Sequence, residues 1–209
     1  SPSKPILLKI MPLADPSTER SAASVHESWR DLYPFRSREI LLGGHRLHYL
    51  DECPNDPTRD STAKAEVDRL DRPASQETLL LVHGNPTWSF HWRNLILAFR
   101  DRYRIIAIDH LGCGLSDKPL DWPYRLENHI ENLSALVERL NLQNVTLIAQ
   151  DWGGAIGLGT ALAMPDRFQR FTLFNTGAFR PWFIPLRIRL CRATFVGRFA
   201  VKRFNLFLR

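Results

Sequence analysis

The sequence predicts an α/β fold: one mostly parallel sheet with helices on both faces. Three observations predict it. After Val82 short β-branched or aliphatic runs alternate regularly with longer helical ones. The turns between them are rich in Gly, Asn and Asp. The two stretches with the most chemical character, His83-Gly84-Asn85-Pro86 and Gln150-Asp151-Trp152-Gly153-Gly154, each stand where an apolar run gives way to a helical pattern. In such a sheet ligands bind at the carboxyl ends of the strands, which is where both stretches fall.

The first thirty residues carry Pro2, Pro5, Pro12 and Pro16 among Ser, Thr and charged residues, and predict an extended arm over residues 1–32. Its apolar stretch, Ile6 to Leu13, is broken by Lys9 and Pro12 and makes a poor signal peptide. Residues 38–51 alternate as a hairpin turning at Gly43-Gly44. From Cys53 to Glu77 the chain is polar and marked by Pro54, Pro57 and Pro73, as in a surface insertion. The alternation then reads: strand Thr78–Val82, helix Trp88–Phe99, strand Tyr103–Ile108, helix Leu126–Leu140, strand Val145–Ala149, helix Ala155–Ala163, strand Phe168–Phe174. Asp109 ends a strand ahead of Gly112-Cys113-Gly114, which reads as a structural turn with Asp109 bonding nearby backbone. From Gly177 the pattern changes to Pro181, Pro185 and apolar residues punctuated by Arg. Residues 33–177 are thus expected to form the core, and 178–209 to begin a helical cap.

Composition narrows the classes. The chain has 209 residues, 44% hydrophobic and 11% aromatic, in the range of a globular domain. Its apolar runs fall short of the ~18 residues that a membrane span needs. Cys53, Cys113 and Cys191 are odd in number and widely spaced, which favours neither disulfides nor a metal site; free thiols and a reducing, cytoplasmic compartment are expected. No metal or cofactor is expected. The net charge of +6 is unevenly spread: residues 1–166 hold 18 basic against 22 acidic residues, a balance of −4, and residues 167–209 hold ten Arg or Lys and no acid. With no zinc-ligand spacing or RNA-binding signature, nucleic acid is not expected as a partner. The basic tail offers a contact to a membrane surface, or acidic partners lie further along a longer chain.

Asp151 follows a strand run and precedes a helix rich in Ala, Leu and Gly, with Ala149 two residues before it and Gly153 two after. That small-x-Asp-x-small pattern is the aspartate counterpart of the G-x-S-x-G nucleophile elbow of α/β-hydrolases. A carboxylate at such a turn attacks an sp³ carbon or strained ring to leave an ester, which water then hydrolyses. The plainer alternative is an Asp that N-caps the following helix. The loop after Val82 is where this fold supplies the other half of its oxyanion hole. Asn85 brings an amide and Trp152 an indole N–H, two neutral donors that suit a departing halide without pairing with Asp151.

The stretches His83-Gly-Asn-Pro-Thr-Trp88, Trp92-Arg-Asn94, Asp109-His-Leu-Gly-Cys-Gly-Leu-Ser-Asp-Lys-Pro119 and Gln150-Asp-Trp-Gly-Gly154 resemble the haloalkane dehalogenase group of α/β-hydrolases, from about Tyr33 to Arg209. The resemblance implies Asp151 as nucleophile, with Asn85 and Trp152 as halide ligands. The stretch Phe174-Asn-Thr-Gly-Ala-Phe179 is also similar to the β-lactone decarboxylases of long-chain olefin synthesis, with the same site residues. Epoxide hydrolases share Asp-Trp-Gly-Gly but usually carry an aromatic residue where this chain has Asn85.

Hydrolysis of an alkyl-enzyme ester calls for a general base, normally a histidine placed after the nucleophile in chain order. His26, His45, His48, His83, His91, His110 and His129 all precede Asp151. The expectation is therefore a fragment that lacks the C-terminal part of the fold. Its small apolar substrate is a haloalkane or a β-lactone. The third reading is a non-catalytic or membrane-associated remnant with an interfacial tail.

Overall fold

The computed structural model describes residues 29–54, 77–177 and Leu186. A helical turn at residues 29–31 leads into a hairpin, β1 (Ser37–Leu42) and β2 (His45–Glu52). β3 (Thr78–Val82) follows, then a 3-10 turn (Ser89–Trp92) continuing as α1 (Arg93–Phe99). Next come β4 (Arg104–Ile108), α2 (Leu126–Arg139), β5 (Val145–Gln150), α3 (Trp152–Ala163), a 3-10 turn (Pro165–Arg167) and β6 (Phe168–Phe174). The six strands form one sheet in the order β1-β2-β4-β3-β5-β6. The hairpin joins antiparallel, β2 against β4, and the remaining four strands are parallel.

The strand sequences explain the two-sided core. β3, β4 and most of β5 are buried on both faces, the pattern of parallel strands covered by helices above and below. Leu80, Val82, Ile106, Ile108, Leu147 and Ala149 pack with Leu133, Leu136 and Val137 of α2 and Ile156 of α3. The alternate residues Leu79, Leu81, Ile105, Ala107 and Ile148 pack on the other face with Trp92 and Ile96. Each large aliphatic side chain so buried contributes about 1.5–3 kcal/mol relative to exposure. On α2 the buried positions are His129, Leu133, Leu136 and Val137, one stripe at helical spacing.

Two buried polar pairs tie strands across the sheet. Arg104 on β4 makes paired hydrogen bonds of 3.0 Å each to Asp51 on β2, Nε to Oδ1 and Nη2 to Oδ2. Asp109, fully buried at the end of β4, accepts the Ser89 N–H at 2.7 Å and the Leu115 N–H at 2.8 Å, and His48 Nδ1 stands 2.9 Å away in a close but poorly aligned contact. Burial alone would raise the Asp109 pKa, but His48 and the two N–H donors outweigh it and hold it below the ordinary carboxylate value.

The expected elements are present with shifted ends. The helix expected from Trp88 starts as a 3-10 turn and becomes α-helical only at Arg93; the one expected from Ala155 begins three residues earlier, at Trp152. The anticipated arm lies outside the described residues except for 29–32, where a helical turn replaces extended chain. The insertion after Pro54 and the expected cap, apart from Leu186, lie outside them too. Cys113 is a free thiol, and Cys191 falls outside the described residues. Among the described residues no helix is long and apolar enough to cross a membrane, and no three His, Cys, Asp or Glu gather as metal ligands.

Candidate active site

The carboxyl ends of β3, β5 and β6 adjoin in the sheet, and the site is built from the three loops that leave them. Asp151 sits between β5 and α3 with φ 53° and ψ −126°, a left-handed backbone that costs a non-glycine residue about 1–3 kcal/mol. Its side chain makes no capping bond to α3. Oδ1 instead accepts the backbone N–H of Asn85 at 2.9 Å, across 66 residues of sequence. The carboxylate is thus turned away from the helix it precedes and toward the loop after β3.

That loop is shaped for close approach. Gly84 lies against Asp151, and a Cβ there would meet the Asp151 Cβ and Oδ1 and the Gln150 carbonyl. Gly153 lies against β3, and a Cβ there would run into the carbonyls of Val82 and His83. The two strand exits can come together only because both positions lack a side chain. Gly84 O closes the loop by accepting the Thr87 N–H at 3.0 Å and the Thr87 hydroxyl at 2.8 Å. The Asn85–Pro86 peptide is cis.

His83 fixes the base of the loop. Its Nε2 accepts the His110 backbone N–H at 3.0 Å, so the ring proton resides on Nδ1, which donates to the Gly84 carbonyl at 2.8 Å. With both nitrogens engaged, His83 holds backbone and has no lone pair free for proton transfer. Burial lowers its pKa, and burial drives that of His110 well below the ordinary histidine value. His129, packed against Trp122 and His110, is brought to about 4, again chiefly by burial.

Asp151 is half-buried, while Asn85 and Trp152 are exposed. Trp152 divides two pockets. One, of about 330 Å³, is bounded by Asn85, Leu111, Tyr124, His129 and Ile156. The other, of about 600 Å³, is bounded by Asp151, Leu126, Ala155, Asn175 and Thr176. Of the three residues singled out in the sequence, Asn85 and Trp152 line the first pocket and Asp151 and Trp152 the second, and the Asn85 N–H bonds the Asp151 carboxylate. Thr176, whose hydroxyl donates to the Asp151 carbonyl at 2.6 Å, was not among them. Its sequence signals are its place just past the end of β6 and within the Phe174–Phe179 stretch.

A family model described as the alpha/beta hydrolase fold matches residues 77–190. The chain is an α/β-hydrolase. The chain is 40% identical over 184 residues to a cis-3-alkyl-4-alkyloxetan-2-one decarboxylase of Shewanella oneidensis, an alignment covering 84% of the chain and 51% of the relative. It is 37% identical over 154 residues to haloalkane dehalogenase 2 of Mycobacterium tuberculosis, covering 74% of the chain and 45% of the relative. Among solved structures, it superposes on the haloalkane dehalogenase DatA from Agrobacterium tumefaciens with a TM-score of 0.63 at 28% identity, over 83% of the chain and 54% of DatA. The chain spans about half the length of the curated relatives it matches.

Proposed function

We propose that Asp151 is the nucleophile of an ester-forming reaction on a small apolar electrophile, with Asn85 and Trp152 as the donors that receive the displaced anion. The observation that carries this reading is the Asp151 carboxylate itself, which takes the Asn85 N–H while leaving the helix behind it uncapped, at a backbone angle that an ordinary capping Asp has no need to adopt. An acid placed only to cap α3 would have turned the other way.

Of the two substrate classes, the β-lactone has more support. The higher identity over more of the chain is with the decarboxylase, whose name describes a four-membered lactone carrying alkyl groups on neighbouring carbons. Two largely apolar pockets meeting at Trp152 suit two such arms. The chemistry also closes without a base. Attack of an Asp151 oxygen on ring carbon 4 breaks its bond to the ring oxygen, giving an ester on carbon 4 and a free carboxylate on carbon 3. The bond from carbon 3 to that carboxylate then breaks, its electron pair forms the alkene, and the ester oxygen leaves carbon 4 to restore Asp151. Carbon dioxide and alkene are the products, and no water is consumed.

A haloalkane is the second reading, supported by the dehalogenase relatives. There the same attack releases halide but stops at an ester that water must open with a base's help. The products tell the two apart. Incubating the chain with a cis-3,4-dialkyl β-lactone should release carbon dioxide and cis-alkene over many turnovers, and with a bromoalkane at most one equivalent of bromide. Asp151→Asn should stop both. Multiple turnovers of bromoalkane with an inert lactone would reverse the ranking.

A further inference from the structure

The stretch Phe174 to Phe179, which resembles the β-lactone decarboxylases, includes two residues, Phe174 and Thr176, that hold the backbone of Asp151. The Asp151 N–H donates to the Phe174 carbonyl at 3.3 Å. Its carbonyl accepts the Thr176 hydroxyl at 2.6 Å, beside the Gly154 N–H at 3.0 Å from the first turn of α3. The backbone of Asp151 is thus gripped on both its N–H and its carbonyl side from the exit of β6, and the carboxylate from the exit of β3 by Asn85. The nucleophile is suspended between two loops, and each fixes a different part of it.

Thr176 is itself locked. A Cβ on Gly154 would collide with the Thr176 Oγ1, Cγ2 and Cβ, so the threonine side chain occupies the space that this glycine leaves over the start of α3. With the methyl there, the hydroxyl has little choice but the Asp151 carbonyl. Residue 151 holds an unfavourable φ of 53°, and the bonds to its own peptide are what keep that turn from relaxing. Rotation of the peptide would swing the carboxylate off the line of attack, and misplacement by about 1 Å can cost on the order of 100-fold in rate.

We infer that Thr176 is a positioning residue for Asp151: its hydroxyl sets the orientation of the nucleophile's peptide, and thereby of the attacking oxygen, without touching the reacting atoms. The inference rests on the reading of Asp151 as nucleophile. The test is single-turnover formation of the ester on Asp151 from a primary bromoalkane, followed by quenched-flow and intact mass, with thermal unfolding measured on the same samples.

Thr176→Val keeps shape and removes the donor. It should slow the saturated rate by about 10- to 100-fold while moving the half-saturating concentration less than about twofold, because the pocket is unchanged. Thr176→Ser keeps the donor and should stay within about threefold of wild type. Gly154→Ala presses on Thr176 from the opposite side and should reproduce the slow rate, which covers the case of a valine variant that fails to fold. Equal rates for Val and wild type, or a Ser variant as slow as Val, would overturn the inference and leave Asp151 as nucleophile intact. A wild-type chain that forms no ester on Asp151 would overturn the nucleophile reading, and this one with it.

Discussion

Asp151 concentrates the cost of the site in one residue. Its φ of 53° is a conformation that glycine adopts freely and aspartate does not. A protein optimised only for stability would carry glycine at this position; the proposed nucleophilic role accounts for a side chain kept at the expense of backbone strain. Two substitutions separate the strain from the chemistry. Asp151→Ala and Asp151→Gly both remove the carboxylate and its bond to Asn85, but only glycine releases the backbone. We expect the glycine variant to be more stable than the alanine variant by about 1–2 kcal/mol, the reverse of their usual order in ordered backbone. Urea unfolding of the pair checks this, and an alanine variant as stable as the glycine one would mean that the turn is unstrained.

At the scale of elements, the strands were legible to within about a residue, and β3 and β6 begin and end at the residues expected. For β3, β4 and most of β5 the signal is local, because a buried parallel strand must be apolar nearly throughout. Helix starts were less legible. α3 begins at Trp152 because the elbow reverses the chain within one residue, and the small residues Gly153 and Gly154, which by propensity belong to a turn, are helical because β3 and Thr176 press against them. Asn85 and Trp152 could be proposed from sequence because each sits in a dense motif at a strand end. Thr176 could not, since its partner is a backbone carbonyl 25 residues away and a threonine after a strand is ordinary. Asp109 shows the same limit. The expectation of bonds to nearby backbone holds for the Leu115 N–H, whereas His48 and the Ser89 N–H reach it through the fold.

For the whole molecule, burial has placed three imidazoles under the loop that faces Asp151, and this links folding to pH. His83 and His110 sit below the ordinary histidine pKa, and His129 is at about 4 against 6.5 when unfolded. Between those values the unfolded chain binds more protons than the folded one, so stability is full above about pH 6.5 and declines as pH falls toward 4. Asp109, held low in the fold, adds stability that persists above its unfolded value of 3.8 and is lost only in stronger acid. The acid limb should therefore begin near pH 6.5, with a slope that exceeds the roughly 1.4 kcal/mol per pH unit of a single group. Urea midpoints at pH 8, 7, 6 and 5 test it. Values that stay level from 7 to 5 would mean that these imidazoles are solvated in solution.

Site-resolved mass spectrometry tests most directly the proposal that Asp151 is the nucleophile. The chain is treated with a primary bromoalkane, quenched in acid, digested, and each peptide is read for the added alkyl mass. Thiols react with such reagents without catalysis, so the location of the adduct matters more than its presence. The predicted result is one alkyl group as an ester on Asp151, saturable in substrate, matched by one equivalent of bromide and lost in Asp151→Asn. Alkylation confined to Cys113 or Cys53, or undiminished in the Asn variant, would contradict it.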